Sequence, residues 1–327
     1  MPFTALIAAA LLATSVPEPA EAAPASQAPA AGPIAVSSPN ARMFELSSAR
    51  MFELSSAITH RTYKIYVSTP PKLAPSEGYP VLYVLDGDAV FPTAEAQARL
   101  SATCGGSPIV VVGVAYPDVL AAMTLRTRDL TPSIPDQRSN GMVSGKPEEF
   151  GGATDFNRFM LDELRPAIAQ IYPIDKHHET LMGYSLGGLF ALHVLFADPT
   201  AYDTYVIGSP SIWWNGKEVL EGEFQFAHLV ATDRTAPRIL ITSDQLEQDE
   251  ITLGPSGAHM VDNAKELAQR LQGIRGGAGY IVKYALLPGE THNTGIPAST
   301  SQGIAFIEDA LQDAPGAPGP QRTRCPE

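Results

Sequence analysis

Six consecutive residues, Gly183-Tyr184-Ser185-Leu186-Gly187-Gly188, set a serine at the centre of a G-x-S-x-G turn. Glu179 to Met182 before it reads as a short buried strand, and Leu189 to Phe196 after it reads as an apolar helix. A serine at such a strand-to-helix turn sits in strained backbone geometry with Oγ raised above the sheet, the nucleophile-elbow arrangement. Gly183 and Gly187 are expected where a Cβ would clash with the neighbouring strand or helix, and Gly188 where the helix must lie close to the sheet. The chemistry this offers is nucleophilic. A serine hydroxyl attacks well only beside a base that takes its proton.

Seven histidines are available. His193 lies two turns into the elbow helix, His177 and His178 sit in a polar loop beside Lys176, His60 and His228 fall near loops, and His259 near a helix start. His292 differs. It lies in Gly289-Glu290-Thr291-His292-Asn293, directly after the last predicted strand and before the last helix, and is the expected base. With the order serine, acid, histidine, the orienting carboxylate belongs in the loop Ser243 to Glu250. Glu247 is preferred because it can reach back over the sheet edge; Asp244, closer to the strand end, comes next, then Asp249. A tetrahedral oxyanion needs two fixed N–H donors. The amide of Leu186 is one candidate, and Asp88 the other, with Gly87 next, from the turn Asp86-Gly87-Asp88.

These turns must be held by a sheet. Val81 to Leu85 and Ile109 to Val114 are continuous apolar runs suited to strands covered on both faces, and Arg61 to Val67 alternates as an exposed antiparallel strand does. Thr204 to Gly208, Arg238 to Thr242 and Tyr280 to Leu286 complete the set. Helices are expected over Ala94–Leu100, Phe156–Tyr172, Val261–Leu271 and Ser301–Leu311. Phe159, Leu161, Leu164, Ile168 and Ile171 mark the buried face of the second. Strands alternating with helices imply an α/β domain with a doubly wound, mostly parallel sheet and helices on both faces. Two long connections break this rhythm, Leu120–Gly152, which is polar and without a period, and Ser209–Arg234, which carries Trp213-Trp214; both follow carboxyl ends of strands, where such sheets bind ligands.

The chain has 327 residues with a net charge of −13. That balance argues against nucleic acid or an anionic membrane as the partner. Ala5 to Ala13 is apolar but too short to span a bilayer, and Ala20-Glu21-Ala22 offers a small-x-small cleavage site, although no basic residue precedes Arg42. Export to the periplasm or medium is the expectation. Residues 1–42 are read as leader and linker, 43–313 as one domain, and 314–327 as a disordered tail. Ala41 to Ser48 is repeated at once as Ala49 to Ser56, so one copy is expected in the sheet and the other left over. Cys104 and Cys325 can pair in an oxidising compartment, but their spacing is silent on it. No cysteine or histidine pattern suggests a metal, and no cofactor is expected.

Leu85-Asp86-Gly87, the elbow, Ser209-Pro210-Ser211-Ile212-Trp213-Trp214 and the late Gly-x-x-His together resemble the bacterial "putative esterase" family over about residues 51 to 312. That family includes trilactone-siderophore esterases of the enterobactin and bacillibactin type, S-formylglutathione hydrolase, feruloyl esterases and mycolyltransferases. The resemblance implies an α/β-hydrolase fold and a serine esterase working through an acyl-enzyme on a small ester or lactone. The Ser-Pro-Ser-x-Trp-Trp stretch and Arg126 to Pro132 are most similar to the siderophore-esterase branch. There, Arg126 or Arg128 would hold an acidic iron chelate, unless they pair with Asp129. Trp213 and Trp214 would stack on flat aryl rings, or pack under the cap instead. Tyr184 stands where the family often has histidine and is grouped with the substrate contacts. Some members of the branch manage with a Ser–His dyad. An acyltransferase or thioesterase is the alternative chemistry, and a hydrolase-fold binding protein the alternative class.

Overall fold

The computed structural model describes residues 49–118, 121–139, 145–248 and 258–313. The expected leader, the expected tail and Asp249 lie outside them.

Eight strands among the described residues form one sheet in the order β1-β2-β4-β3-β5-β6-β7-β8. These are β1 (Arg50–Ser55), β2 (Thr62–Ser68), β3 (Tyr79–Val84), β4 (Val110–Ala115), β5 (Ile174–Tyr184), β6 (Thr204–Gly208), β7 (Arg238–Asp244) and β8 (Ile281–Leu287). β1, β2 and β4 pair antiparallel; every later pairing is parallel. The second copy of the eight-residue repeat supplies β1, and the first lies outside the described residues. β1 covers the flank of β2. β2 is thus no edge strand, and its Tyr63, Ile65 and Val67 are buried on the sheet face covered by Phe156 and Phe159.

Strand periodicity divides the core in two. Val81, Tyr83, Leu85, Leu181, Tyr205 and Ile239 face one side, against Phe156, Phe159, Leu189, Phe190 and Leu267. Leu82, Val84, Val111, Met182, Val206 and Leu240 face the other, against Val90, Phe91, Ile304 and Ile307. Each large apolar side chain so buried contributes about 1.5–3 kcal/mol. The second side is roofed by α1 (Gly87–Thr103) and α8 (Gly295–Gln312), the first by α3 (Ala153–Arg158), α4 (Arg165–Ile171), α5 (Leu186–Ala197), α6 (Glu223–Ala231) and α7 (Met260–Gln272).

Three expectations change. The segment Leu120–Gly152 contains α2 (Ala122–Leu130), which buries only Asp129 and Leu130 and so has no apolar stripe to read. Ser209–Arg234 contains α6, buried through Phe226 and Val230 alone. Between α3 and α4, Phe159–Leu164 is a π turn. The extra residue per turn rotates the helix beyond it, so Ile168 stays buried while Ile171 is 57% exposed. Cys104, capping α1, is disulfide-bonded; Cys325 is the chain's other cysteine and lies outside the described residues. No helix among the described residues is long and apolar enough to cross a membrane.

Candidate active site

The carboxyl ends of β3, β5, β6, β7 and β8 lie along one edge of the sheet because these strands run parallel. The turns leaving them carry Asp86-Gly87-Asp88, Ser185, Ser209, Glu247 and His292 respectively. Residues up to two hundred positions apart thus share one rim.

Ser185 has φ 62° and ψ −118°, a left-handed conformation that costs a non-glycine residue about 1–3 kcal/mol. It is held there by its amide on the Gly208 carbonyl at 3.0 Å, while its own carbonyl accepts the amides of Leu189 at 3.0 Å and Ser211 at 3.1 Å. A Cβ on Gly183 would lie 2.0 Å from the Gly187 carbonyl oxygen, and one on Gly188 would lie 2.6 Å from that of Gly208. Gly187 is different from its sequence reading: a Cβ there meets nothing closer than Asp86 Oδ2 at 3.4 Å, an ordinary contact.

His292 Nδ1 and Glu247 Oε2 are 2.8 Å apart, with the Glu247 side chain 1% exposed. Of the two candidate acids among the described residues, Glu247 is bonded to the imidazole, and Asp244 to Tyr184 and Ser209. Its turn and the histidine loop are stitched together by Leu246 N–H on the Glu290 carbonyl at 2.9 Å and Gly289 N–H on Gln245 Oε1 at 2.9 Å. The imidazole lies 5.1 Å, centroid to centroid, from the ring of Tyr184, the residue before the serine.

Tyr184 does not line a substrate surface. It is buried, and its hydroxyl contacts Asp244 Oδ2 and the His292 carbonyl oxygen, the latter at 2.7 Å. Burial and the neighbouring Asp244 drive its phenol far above the usual range. Asp244 is fully buried, and burial foremost, reinforced by the Glu247 charge, pushes its carboxyl up to about 6. Ser209 Oγ lies between the two acids, 2.9 Å from Asp244 Oδ2 and 2.8 Å from Glu247 Oε1. Asp244, Glu247 and His292 bring oxygen and nitrogen atoms within 4.8 Å of one another, and hydrogen bonds among themselves and with Tyr184 and Ser209 join them. Ser209 and the Tyr184–Asp244 pair escaped the sequence reading.

Arg126 donates from Nε to Asp86 Oδ1 at 2.6 Å, and from Nη2 to Asp86 Oδ2 at 2.8 Å and the Tyr184 carbonyl at 3.3 Å. Arg128 donates to the Glu148 carbonyl at 2.7 Å, and Asp129 is taken by Arg61 at 2.7 Å and Tyr63 at 2.9 Å. Neither arginine pairs with Asp129, and Arg126 braces the scaffold instead of presenting a free anion-binding fork. Trp214 is 2% exposed and packed on Phe150, so it belongs to the core; Trp213 is half-buried. Leu186 opens α5, and Gly87 and Asp88 open α1. First-turn amides have no intrahelical acceptor and are available to an oxyanion. The Asp88 side chain is turned away, onto Lys64 at 3.0 Å and Tyr66 at 2.6 Å.

Residues 56–293 match the family model described as "Putative esterase". The chain belongs to this family. This esterase is 36% identical over 257 residues to the ferri-bacillibactin esterase BesA of Bacillus subtilis, covering 76% of this chain and 85% of that one. It is 33% identical over 252 residues to the siderophore triacetylfusarinine C esterase of Aspergillus fumigatus, covering 70% and 82%. Among solved structures, the BES protein from Bacillus cereus superposes with a TM-score of 0.71 at 35% identity, covering 82% of this esterase and 98% of its own chain. The siderophore hydrolase EstA from Aspergillus nidulans gives 0.68 at 27% identity, covering 81% and 95%. The fold is that of an α/β-hydrolase, as its sequence implied, and the enzyme is a serine esterase.

Proposed function

We propose that Ser185 is the nucleophile, His292 its general base and Glu247 the orienting acid. His292 takes the Ser185 proton as Oγ attacks the ester carbonyl. The resulting imidazolium is stabilised by the buried Glu247 carboxylate through Nδ1–H, and the proton taken from Ser185, held on Nε2, then protonates the leaving alkoxide. Water, deprotonated by His292, releases the acid from the acyl-enzyme. Leu186 and a first-turn amide of α1, at Asp88 or Gly87, hold the oxyanion. The 2.8 Å contact between His292 and the almost inaccessible Glu247 carries this reading. A carboxylate so buried is costly unless it serves a hydrogen-bonded cation.

The substrate proposed is an ester or lactone of a catecholate siderophore, by analogy with the bacillibactin esterase and its siderophore-hydrolysing relatives. The loop bearing Trp213 is anchored to the Ser185 carbonyl through Ser211, which places a half-buried aromatic face on the segment flanking the nucleophile. Kinetics on short aryl esters, feruloyl esters, S-formylglutathione and trilactone siderophores, with and without iron, test this. Turnover of the thioester alone would overturn the siderophore reading. Fluorophosphonate labelling of wild type but not of Ser185→Ala tests the nucleophile, and equal labelling of both would refute it. Export is also proposed, supported by the Ala5–Ala13 run and by the disulfide at Cys104. Amino-terminal sequencing of protein recovered outside the cytoplasm checks it, and an uncleaved protein confined to the cytoplasm would sink it.

A further inference from the structure

Behind the His292–Glu247 pair runs a file of five oxygens: the His292 carbonyl, Tyr184 Oη, Asp244 Oδ2, Ser209 Oγ and Glu247 Oε1. Four close contacts join them. Both ends only accept, and the two hydroxyls bring two protons. With Asp244 ionised, two of the four contacts set lone pair against lone pair with no hydrogen between. One added proton fills a third.

The position of that proton is set by the hydrogen bonds each acid already receives. Glu247 accepts the Asp244 amide on Oε1 at 3.0 Å and pairs with His292 Nδ1 through Oε2. The Asp244 carboxyl accepts no N–H among the described residues, only the hydroxyls of Tyr184 and Ser209 on Oδ2, and its Oδ1 is buried without any hydrogen-bond partner. A buried ionised oxygen left unpaired is expensive, whereas the carbonyl oxygen of a neutral acid costs much less. Five elements surround this carboxyl. β5 presents Tyr184, the segment after β6 Ser209, the turn after β7 Glu247, and the loop after β8 His292. α8 arrives with Gly295, in such close contact that a Cβ there would lie 1.8 Å from Oδ1. It gives the carboxyl no hydrogen bond: Oδ1 has no partner, the Gly295 amide bonds the Thr291 carbonyl at 2.9 Å, and Pro297 has no N–H.

We propose that Asp244 is the proton-bearing member of the Asp244–Glu247 pair, and that its proton, donated to Tyr184, keeps the Tyr184 hydroxyl on the His292 carbonyl. Asp244 and Tyr184 are then positioning residues for the base, an inference that rests on the assignment of His292 as base and Glu247 as its acid. When Asp244 ionises, the Tyr184 hydroxyl turns to it and the histidine loop loses its donor. The upward displacement of the Asp244 carboxyl by burial agrees with this placement.

The test is a carboxyl-carbon NMR titration of the full chain labelled at aspartate, in wild type, Ser185→Ala, Asp244→Asn and Glu247→Gln. One resonance, absent from Asp244→Asn, should titrate at pH 6 or above in wild type and in Ser185→Ala, and lower in Glu247→Gln. A midpoint at the ordinary aspartate value, about 4, overturns the proposal. So does an Asp244 midpoint that ignores Glu247→Gln. Asparagine offers two N–H, one each for Tyr184 and Ser209, so all four contacts are filled. Asp244→Asn should therefore melt at or above wild type at pH 8, with Asp244→Ala below both. In wild type kcat/KM should fall as pH rises through the Asp244 midpoint, and Asp244→Asn should lack that fall. An Asp244→Asn protein that melts lower than wild type at pH 8, or fails to fold, refutes the neutral acid. Failure of Ser185-dependent labelling would remove the catalytic assignment and leave the titration result standing.

Discussion

Arg126 forks onto Asp86 through two hydrogen bonds of 2.6 and 2.8 Å, and the same guanidinium touches the Tyr184 carbonyl. Asp86 sits at φ 54° as the residue preceding α1, so the ion pair ties the turn carrying the Gly87 and Asp88 amides to the strand carrying the nucleophile. Lysine keeps the charge but loses the planar two-pronged grip. Arg126→Lys should lower kcat about tenfold with little change in KM, equally for neutral and anionic esters. Steady-state kinetics on a matched pair of such esters checks this. A KM rise confined to the anionic ester would return Arg126 to substrate binding.

Glu247→Gln leaves the shape of the site but removes the charge facing the imidazolium and the constraint on its tautomer. Loss of the equivalent acid in Ser–His–Asp enzymes costs about 10⁴ in rate. Here kcat should drop by roughly two to four orders of magnitude while the fold stays intact, read from aryl-ester hydrolysis and circular dichroism. A change smaller than fivefold would mean that serine and histidine act as a dyad.

The elbow, the histidine and the favoured acid were legible because turn chemistry is local: each sits in a short loop whose flanking strands announce themselves by apolar runs. The buried relay was not. Tyr184, Ser209 and Asp244 meet only because β5, β6 and β7 lie side by side in parallel register, and no local pattern encodes that adjacency. The same holds for Arg126 and Asp86, forty residues apart. The sequence leaves Trp213 and Trp214 alike, each able to stack on a ligand or to pack under the cap, because a loop lined by hydrophobics gives no period by which to tell its inner face from its outer one.

The two tryptophans should therefore separate. Trp214 is enclosed against Phe150, and truncating a buried aromatic to alanine costs about 3–5 kcal/mol. Trp214→Ala should lower the urea midpoint sharply. Trp213→Ala, at a half-buried position, should leave stability within about 1 kcal/mol of wild type and raise KM for aryl-bearing esters severalfold over acetyl esters. Parallel denaturation and kinetics on the two variants decide; a Trp213→Ala protein with unaltered aryl preference ends the stacking role.

Asp129, 1% exposed in the last turn of α2, is raised from 3.8 to about 6, burial outweighing the pull of Arg61 and the hydrogen bond from Tyr63. A carboxyl raised on folding binds its proton more tightly in the native state than in the unfolded chain. Its contribution is fully present below about pH 3.8 and is lost as pH rises through about 6. The difference between those two limits is roughly 3 kcal/mol. Asparagine cannot titrate. The stability of Asp129→Asn relative to wild type should accordingly climb between pH 4 and pH 7 by up to roughly that amount, whatever constant offset comes from losing the Arg61 pair. Urea unfolding of both proteins at half-unit pH steps measures it. A flat difference across the range would place the Asp129 charge in a site that tolerates it, and a falling one would mean that Arg61 dominates burial.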